Sequence, residues 1–210
     1  MEKDEILENE EVEEKLDRQE TVKRETNETK ISVTLNLDGK GHSNIDTGIG
    51  FFDHMLTLMA KHGFMDLDVV ANGDLDVDSH HTIEDIGIVL GQCFKEAIGD
   101  KAGITRYGTA YVPMDESLAF VSLDISNRPY LVYNCELTVE KLGGMESEMV
   151  EEFIRAFAFN AGITLHVNLL YGSNNHHMVE AIFKALGKSL HIASTVDDSI
   201  NGVMSTKGII

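Results

Sequence analysis

Two five-residue runs carry the residue types that bind metal and move protons: His80-His81-Thr82-Ile83-Glu84 and His176-His177-Met178-Val179-Glu180. On a helix, residues three and four apart share a face, so Glu84 can stand beside His81 and His80, and Glu180 beside His177 and His176. Adjacent helical residues point roughly 100° apart, so each histidine pair suits two ions better than one. The runs together supply four imidazoles and two carboxylates. Such donors suit Mn, Fe, Zn, Co or Ni rather than Ca or Mg, and no thiolate stands with them to select zinc or copper.

The elements that must position these residues recur with them. Apolar residues follow each run at helical spacing: Ile86, Val89, Leu90, Cys93, Phe94 and Ala97 after the first, and Ile182, Phe183, Leu186, Leu190 and Ala193 after the second. The offset of 96 between His80 and His176 also relates Gly91 to Gly187, which marks an internal duplication. In the first half, Ile31, Val33, Leu35 and Leu37 alternate as a strand ending at Asp38-Gly39, and a second strand is expected near 40–47. A helix from about Asp53, its expected cap, runs to His62 with Gly63 as the C′ residue. Leu67–Val70 and Leu75–Asp78 then read as two short strands around Asn72-Gly73.

The second half repeats the order. Leu118–Ser126 and Tyr130–Val139 read as a strand pair about Asn127-Arg128-Pro129; a helix over Glu148–Ala161 ends at Gly162, and the strand Thr164–Leu170 leads to the last helix. Each half is strands, helix, strands, helix, which predicts an α/β (α+β) two-layer sandwich with helices on one face of the sheet. The expected organisation is an acidic extension over 1–20 and half-repeats over 21–100 and 101–210, together one catalytic domain. Setting Gly63 opposite Gly162 brings His54 opposite Glu152, allowing one residue of slippage, so a ligand at His54 would have a carboxylate counterpart. His42, His62, His166 and His191 stand alone and fall outside the metal set.

The formal net charge of −19 argues against nucleic acid or an anionic membrane as partner. Residues 1–20 hold ten acids and three bases and read as a mobile or marginally helical extension. No apolar run approaches the ~18 residues of a membrane span, and the N-terminus lacks a basic segment followed by an apolar core. A cytoplasmic protein with reduced Cys93 and Cys135 is expected. Bases are few, so an anionic substrate needs a dedicated cluster. Arg106, Arg128, Lys184 and Lys207 could build a phosphate or carboxylate pocket, arginine supplying bidentate geometry.

Five segments, in order, resemble one family: Gly50-Phe51-Phe52-Asp53-His54-Met55, Asp78-Ser79-His80-His81-Thr82-Ile83-Glu84-Asp85, Asp124-Ile125-Ser126-Asn127-Arg128-Pro129-Tyr130, Asn175-His176-His177-Met178-Val179-Glu180, and Ser205-Thr206-Lys207-Gly208. The chain from about residue 22 onward resembles imidazoleglycerol-phosphate dehydratase of histidine biosynthesis, in its monofunctional form. The resemblance implies a duplicated fold like ribosomal protein S5 domain 2. It implies a homo-oligomer of twenty-four subunits and two Mn2+ per active site, held between subunits. The implied metal ligands are His54, His80, His81, Glu84, Glu152, His176, His177 and Glu180. Many members carry a Glu-His-Phe motif where this chain has Glu151-Glu152-Phe153, so Glu152 would replace an imidazole with an oxygen donor. Implied substrate contacts are Glu28, His54, His62, Arg106, Arg128, Lys184, Ser205, Thr206 and Lys207, and either Glu28 or Glu180 would serve as the catalytic acid/base. The implied reaction converts D-erythro-imidazole-glycerol phosphate to imidazole-acetol phosphate. Two other readings compete: a dinuclear metal hydrolase, which would release phosphate from esters, and a non-enzymatic metal-buffering scaffold, which would need no cluster of bases.

Overall fold

The computed structural model describes residues 18–210. The expected acidic extension lies outside the described residues up to position 17. Its last residues belong to the folded body: the Arg18 guanidinium grips both Asp38 oxygens, at 2.9 and 2.5 Å, and donates to the Ser194 carbonyl. The first half comprises β1 (Gln19–Glu25), β2 (Thr29–Asn36), β3 (Ser43–Asp46), α1 (Gly50–Gly63), β4 (Asp66–Gly73) and α2 (His80–Ile98). The second comprises β5 (Tyr107–Met114), β6 (Ser117–Asp124), β7 (Tyr130–Asn134), the two-residue strands β8 (Lys141–Leu142) and β9 (Met145–Glu146), α3 (Met149–Ala161), β10 (Thr164–Tyr171) and α4 (Asn175–Ser194).

The duplication holds to the register of individual pairs. The sheets run β1-β2-β4-β3 and β5-β6-β10-β7, and in each the last neighbour pair is parallel. Gln19 pairs with Asn36 as Tyr107 pairs with Asp124, and Leu35 with Leu67 as Leu123 with Leu165. Positions in β1 and β2 therefore recur 88 residues later (Gln19 to Tyr107), and positions in β4 recur 98 later (Leu67 to Leu165) as far as Leu169, where a bulge in β10 adds one residue. The β8–β9 hairpin occupies the longer connection between β7 and α3.

Each half is a sheet with two helices on one face, and the halves pack helix layer to helix layer: α2 on α3 and α1 on α4. An aromatic cluster joins all four helices. Phe52 of α1 meets Phe153 of α3 edge-on at 5.1 Å, Phe153 stacks on Phe183 of α4 at 5.6 Å, and Phe157 meets Phe94 of α2 at 5.8 Å. The paired glycines mark where backbones touch. A Cβ on Gly91 would stand 2.6 Å from the Phe157 carbonyl, and one on Gly187 would run into the Met59 carbonyl. Their shared offset thus records one helix contact made twice. Among the described residues, no helix is long and apolar enough to cross a membrane.

Several elements differ from the sequence reading. Leu75–Asp78 is no strand, because β2 begins at Thr29 opposite Gly73 and, among the described residues, leaves nothing for a longer β4 to pair with. The segments around Asn127-Arg128-Pro129 form no hairpin; β10 lies between β6 and β7. β1 and β5 were not expected. Asp53 lies inside α1, and its carboxylate accepts from the Thr47 amide and hydroxyl instead of capping its own helix. Gly63 is the last helical residue and lies against Gly187, so the left-handed C-terminal position falls to Phe64 (φ 52°), whose counterpart is Gly162 (φ 71°). That pairing has an offset of 98, which sets His54 opposite Glu152 with no slip.

Candidate active site

His54, on α1, and His176 and Glu180, on α4, come together because α1 and α4 pack along their length. Glu180 Oε1 lies 3.1 Å from His54 Nε2 and 3.0 Å from His176 Nε2, and Oε2 accepts from Lys184 Nζ at 2.6 Å. The Phe51 ring packs edge-on against His176 at 5.2 Å. Glu180 is buried, 7% exposed. Burial pulls its pKa up, but Lys184 and the two imidazoles outweigh that and hold the carboxyl at about 2. Lys184 thereby neutralises one oxygen and leaves the other to the imidazoles.

These three residues offer two nitrogens and one oxygen, all within 4.8 Å of one another. Ligands at about 2.1 Å from one ion stand roughly 3–4 Å apart, so the group fits a divalent transition metal. It is the one such group among the described residues.

The second histidine of each run turns elsewhere, as the helical spacing requires. The rings of His176 and His177 stand 6.3 Å apart at 86°, and those of His80 and His81 stand 6.2 Å apart at 74°. His177 Nδ1 meets Glu116 Oε2 at 2.8 Å, and His81 Nδ1 meets Asp74 Oδ2 at 2.9 Å. Those carboxylates raise the pKa of both imidazoles, and the His177 contact, with the Asn174 amide, drives Glu116 well below the usual carboxylate range. Neither Asp74 nor Glu116 was singled out from sequence. Glu28, in the β1–β2 turn, brings Oε2 to 3.8 Å from His81 Nδ1.

Five of the expected anion-binding residues gather in a second region. Arg106, Arg128, Ser205, Thr206 and Lys207 line a cavity of about 850 Å³ between the β6 end and the C-terminal segment. Arg106 is committed: it holds Asp124 through Nε and Nη2 at 2.7 and 3.1 Å and donates Nη1 to the Met204 carbonyl at 2.6 Å. Arg128 is 67% exposed and makes only long contacts, to Asp124 at 3.4 Å and to the Ser126 carbonyl at 3.3 Å, so its guanidinium can turn to an anion. Lys184 stands apart from this cavity, beside Glu180. His62 is half-buried, its pKa lowered by burial and then by the charges of Lys184 and Lys188. Glu152 pairs with Arg155 of its own helix at 3.2 Å, and neither it, His80 nor Glu84 joins the three-residue donor group.

The comparisons with known proteins point one way. The family described as imidazoleglycerol-phosphate dehydratase matches residues 47–190. The enzyme of that name from Clostridium novyi (strain NT) is 68% identical over 89% of this chain and 95% of its own length. That from Acetivibrio thermocellus is 63% identical over 93% of this chain and its whole length. Among solved structures, the Staphylococcus aureus enzyme matches with a TM-score of 0.77 at 46% identity, covering 84% of this chain and 98% of its own. The Pyrococcus furiosus enzyme, in complex with (S)-C348, gives 0.78 at 38% identity, covering 90% and 100%. The chain belongs to the imidazoleglycerol-phosphate dehydratase family and is a hydro-lyase of histidine biosynthesis.

Proposed function

We propose that the protein carries out the metal-dependent dehydration of D-erythro-imidazole-glycerol phosphate to imidazole-acetol phosphate, in the cytoplasm, with two Mn2+ in each active site. The observation that carries this reading is the meeting of His54, His176 and Glu180 in one donor group, repeated in type by His80, His81 and Glu84. The cavity holding Arg128, Ser205, Thr206 and Lys207 suits the phosphate. The two histidine runs share no hydrogen bond or ion pair among the described residues, so a site using both would draw them from different subunits of a homo-oligomer, twenty-four in the proposed assembly. Glu152 would complete the first run's donors from α3, as His54 completes the second's from α1.

Dehydration removes a hydrogen from one carbon and the hydroxyl from its neighbour beside the ring; the enol left behind becomes the ketone. That hydrogen is not next to a carbonyl and is poorly acidic. Bound metal would supply Lewis-acid polarisation and a template for the imidazole ring. The proton work falls to the protein. Glu180 is held ionised by Lys184 and two imidazoles, which makes it a poor proton donor. Among the described residues the half-exposed Glu28 carboxylate makes no hydrogen bond and comes only to 3.8 Å from His81 Nδ1, so it is the group free to take and return a proton. Turnover assayed for ketone and inorganic phosphate in parallel tests the reading. Ketone without phosphate is expected, whereas phosphate release without ketone would convert the assignment to a hydrolase.

A further inference from the structure

The duplication relates Glu28 to Glu116. The offset of 88 that runs through β1 and β2 carries across their turn, because Glu25 pairs with Lys30 as Pro113 pairs with Leu118. Each turn therefore presents a glutamate toward the second histidine of its own half, yet the two do different things. Glu116 Oε2 lies 2.8 Å from His177 Nδ1, while its Oε1 accepts from the Ser173 and Asn174 amides at 3.1 and 2.8 Å. Glu28 stops at 3.8 Å from His81 Nδ1, because Asp74 already holds that nitrogen at 2.9 Å.

The residue that makes the difference lies between the last strand of each half and the helix that follows it. A bulge between Leu169 and Tyr171 raises the offset to 99, because Lys30 pairs with Asn72 as its duplicate Leu118 pairs with Tyr171, so Gly73 corresponds to Gly172 and Asp74 to Ser173. Ser173 has no carboxylate to offer the histidine and instead donates its amide to Glu116 Oε1, which helps to hold Glu116 against His177. In the first half an aspartate occupies that place and takes over the histidine.

From this we infer that Asp74 and Glu116 are positioning residues of the same kind. An ionised carboxylate can only accept, so each makes Nδ1 of its histidine the donor and turns the Nε2 lone pair outward, ready for a metal. Asp74 releases Glu28, the duplicate of Glu116, from that duty and leaves its exposed carboxylate available for proton transfer. One half-repeat keeps its turn glutamate for orientation; the other spends it on chemistry.

The inference rests on the proposed metal-dependent function, and its test reads metal binding by the purified full chain, with Mn2+ alone as probe. In Glu116→Gln the amide oxygen can still accept from the Ser173 and Asn174 amides, but an amide NH2 then faces Nδ1 and favours the wrong tautomer. Loss of about 10–100-fold in affinity for one Mn2+ is expected, with the melting temperature little changed, and likewise for Asp74→Asn. Glu116→Asp, which restores an acceptor, should recover part of the loss. Glu28→Gln should keep both ions. Unchanged affinity in Glu116→Gln, or a loss in Glu28→Gln instead, overturns the inference while leaving the function intact; a wild-type protein that binds no Mn2+ removes both.

Discussion

Gly187 couples the fold to the site more tightly than any ligand does. It lies on α4, seven residues beyond Glu180, and a Cβ there would run into the Met59 carbonyl and stand 3.1 Å from the Gly63 amide nitrogen, both main-chain atoms of α1. Neither atom can turn away like a side chain, so the helices must separate. Overpacking of this kind costs about 3 kcal/mol at the upper end of its range, against a gain of about 1 kcal/mol for alanine over glycine inside a helix. The net loss of about 2 kcal/mol corresponds to a fall of roughly 4–8 °C in Tm for a chain of this length. Gly187→Ala should also move His176 and Glu180 away from His54, which α1 carries, and so weaken Mn2+ binding. Gly91→Ala is the comparison: it forces α2 from α3 at the Phe157 carbonyl, with a similar cost, and should weaken the ion that the first run and Glu152 would hold while leaving the His54 group untouched. Thermal melts and Mn2+ titrations on both variants decide it. A Gly187→Ala protein that melts like the wild type, or one that melts lower yet binds Mn2+ normally, would refute the reasoning.

Burial raises the Cys93 thiol to about 11 and the Cys135 thiol to about 12, so neither should react appreciably with iodoacetamide at pH 8 in the folded protein; prompt alkylation would contradict their placement. Lys141 and then Ser79 hold Glu146 at about 2, below its ordinary 4.5. A depressed carboxyl contributes stability that is complete above the unfolded value and lost as pH falls toward the folded one, so the wild type should lose more stability than Glu146→Gln between pH 6 and pH 3 in chemical denaturation. Arg106→Ala strips a nearly buried pair from Asp124 and a donor from the Met204 carbonyl, a loss of about 3 kcal/mol or more. Arg128→Ala, at an exposed pair, should stay within about 1 kcal/mol and show itself as a raised KM.

What the sequence disclosed and what it hid follow from how each signal arises. The histidine runs and the helices behind them were legible because helical spacing is local. The strand β1 was not, because Gln19, Glu20, Lys23 and Glu25 form a polar edge with only Val22 and Arg24 turned partly inward. Its twin β5 buries Gly108, Ala110 and Val112, small residues whose alternation is faint, since α4 presses its backbone onto Gly108 at Ser189. Conversely, Leu75 and Val77 alternate like a strand but stand exposed, and no strand pairs with them among the described residues. Asp74 and Glu116 were hidden for a different reason. Their meaning depends on which strand faces which, and the 88-residue offset relating Glu116 to Glu28 differs from the 96-residue offset that the histidines advertise.

The most direct test of the central claim is to strip the protein of metal, reload it with Mn2+, and follow ketone formation from imidazole-glycerol phosphate against the ions bound. Ketone formation that vanishes on stripping and returns in step with about two ions per chain is the predicted result. Full turnover by the stripped protein, or none with both ions bound, would contradict it.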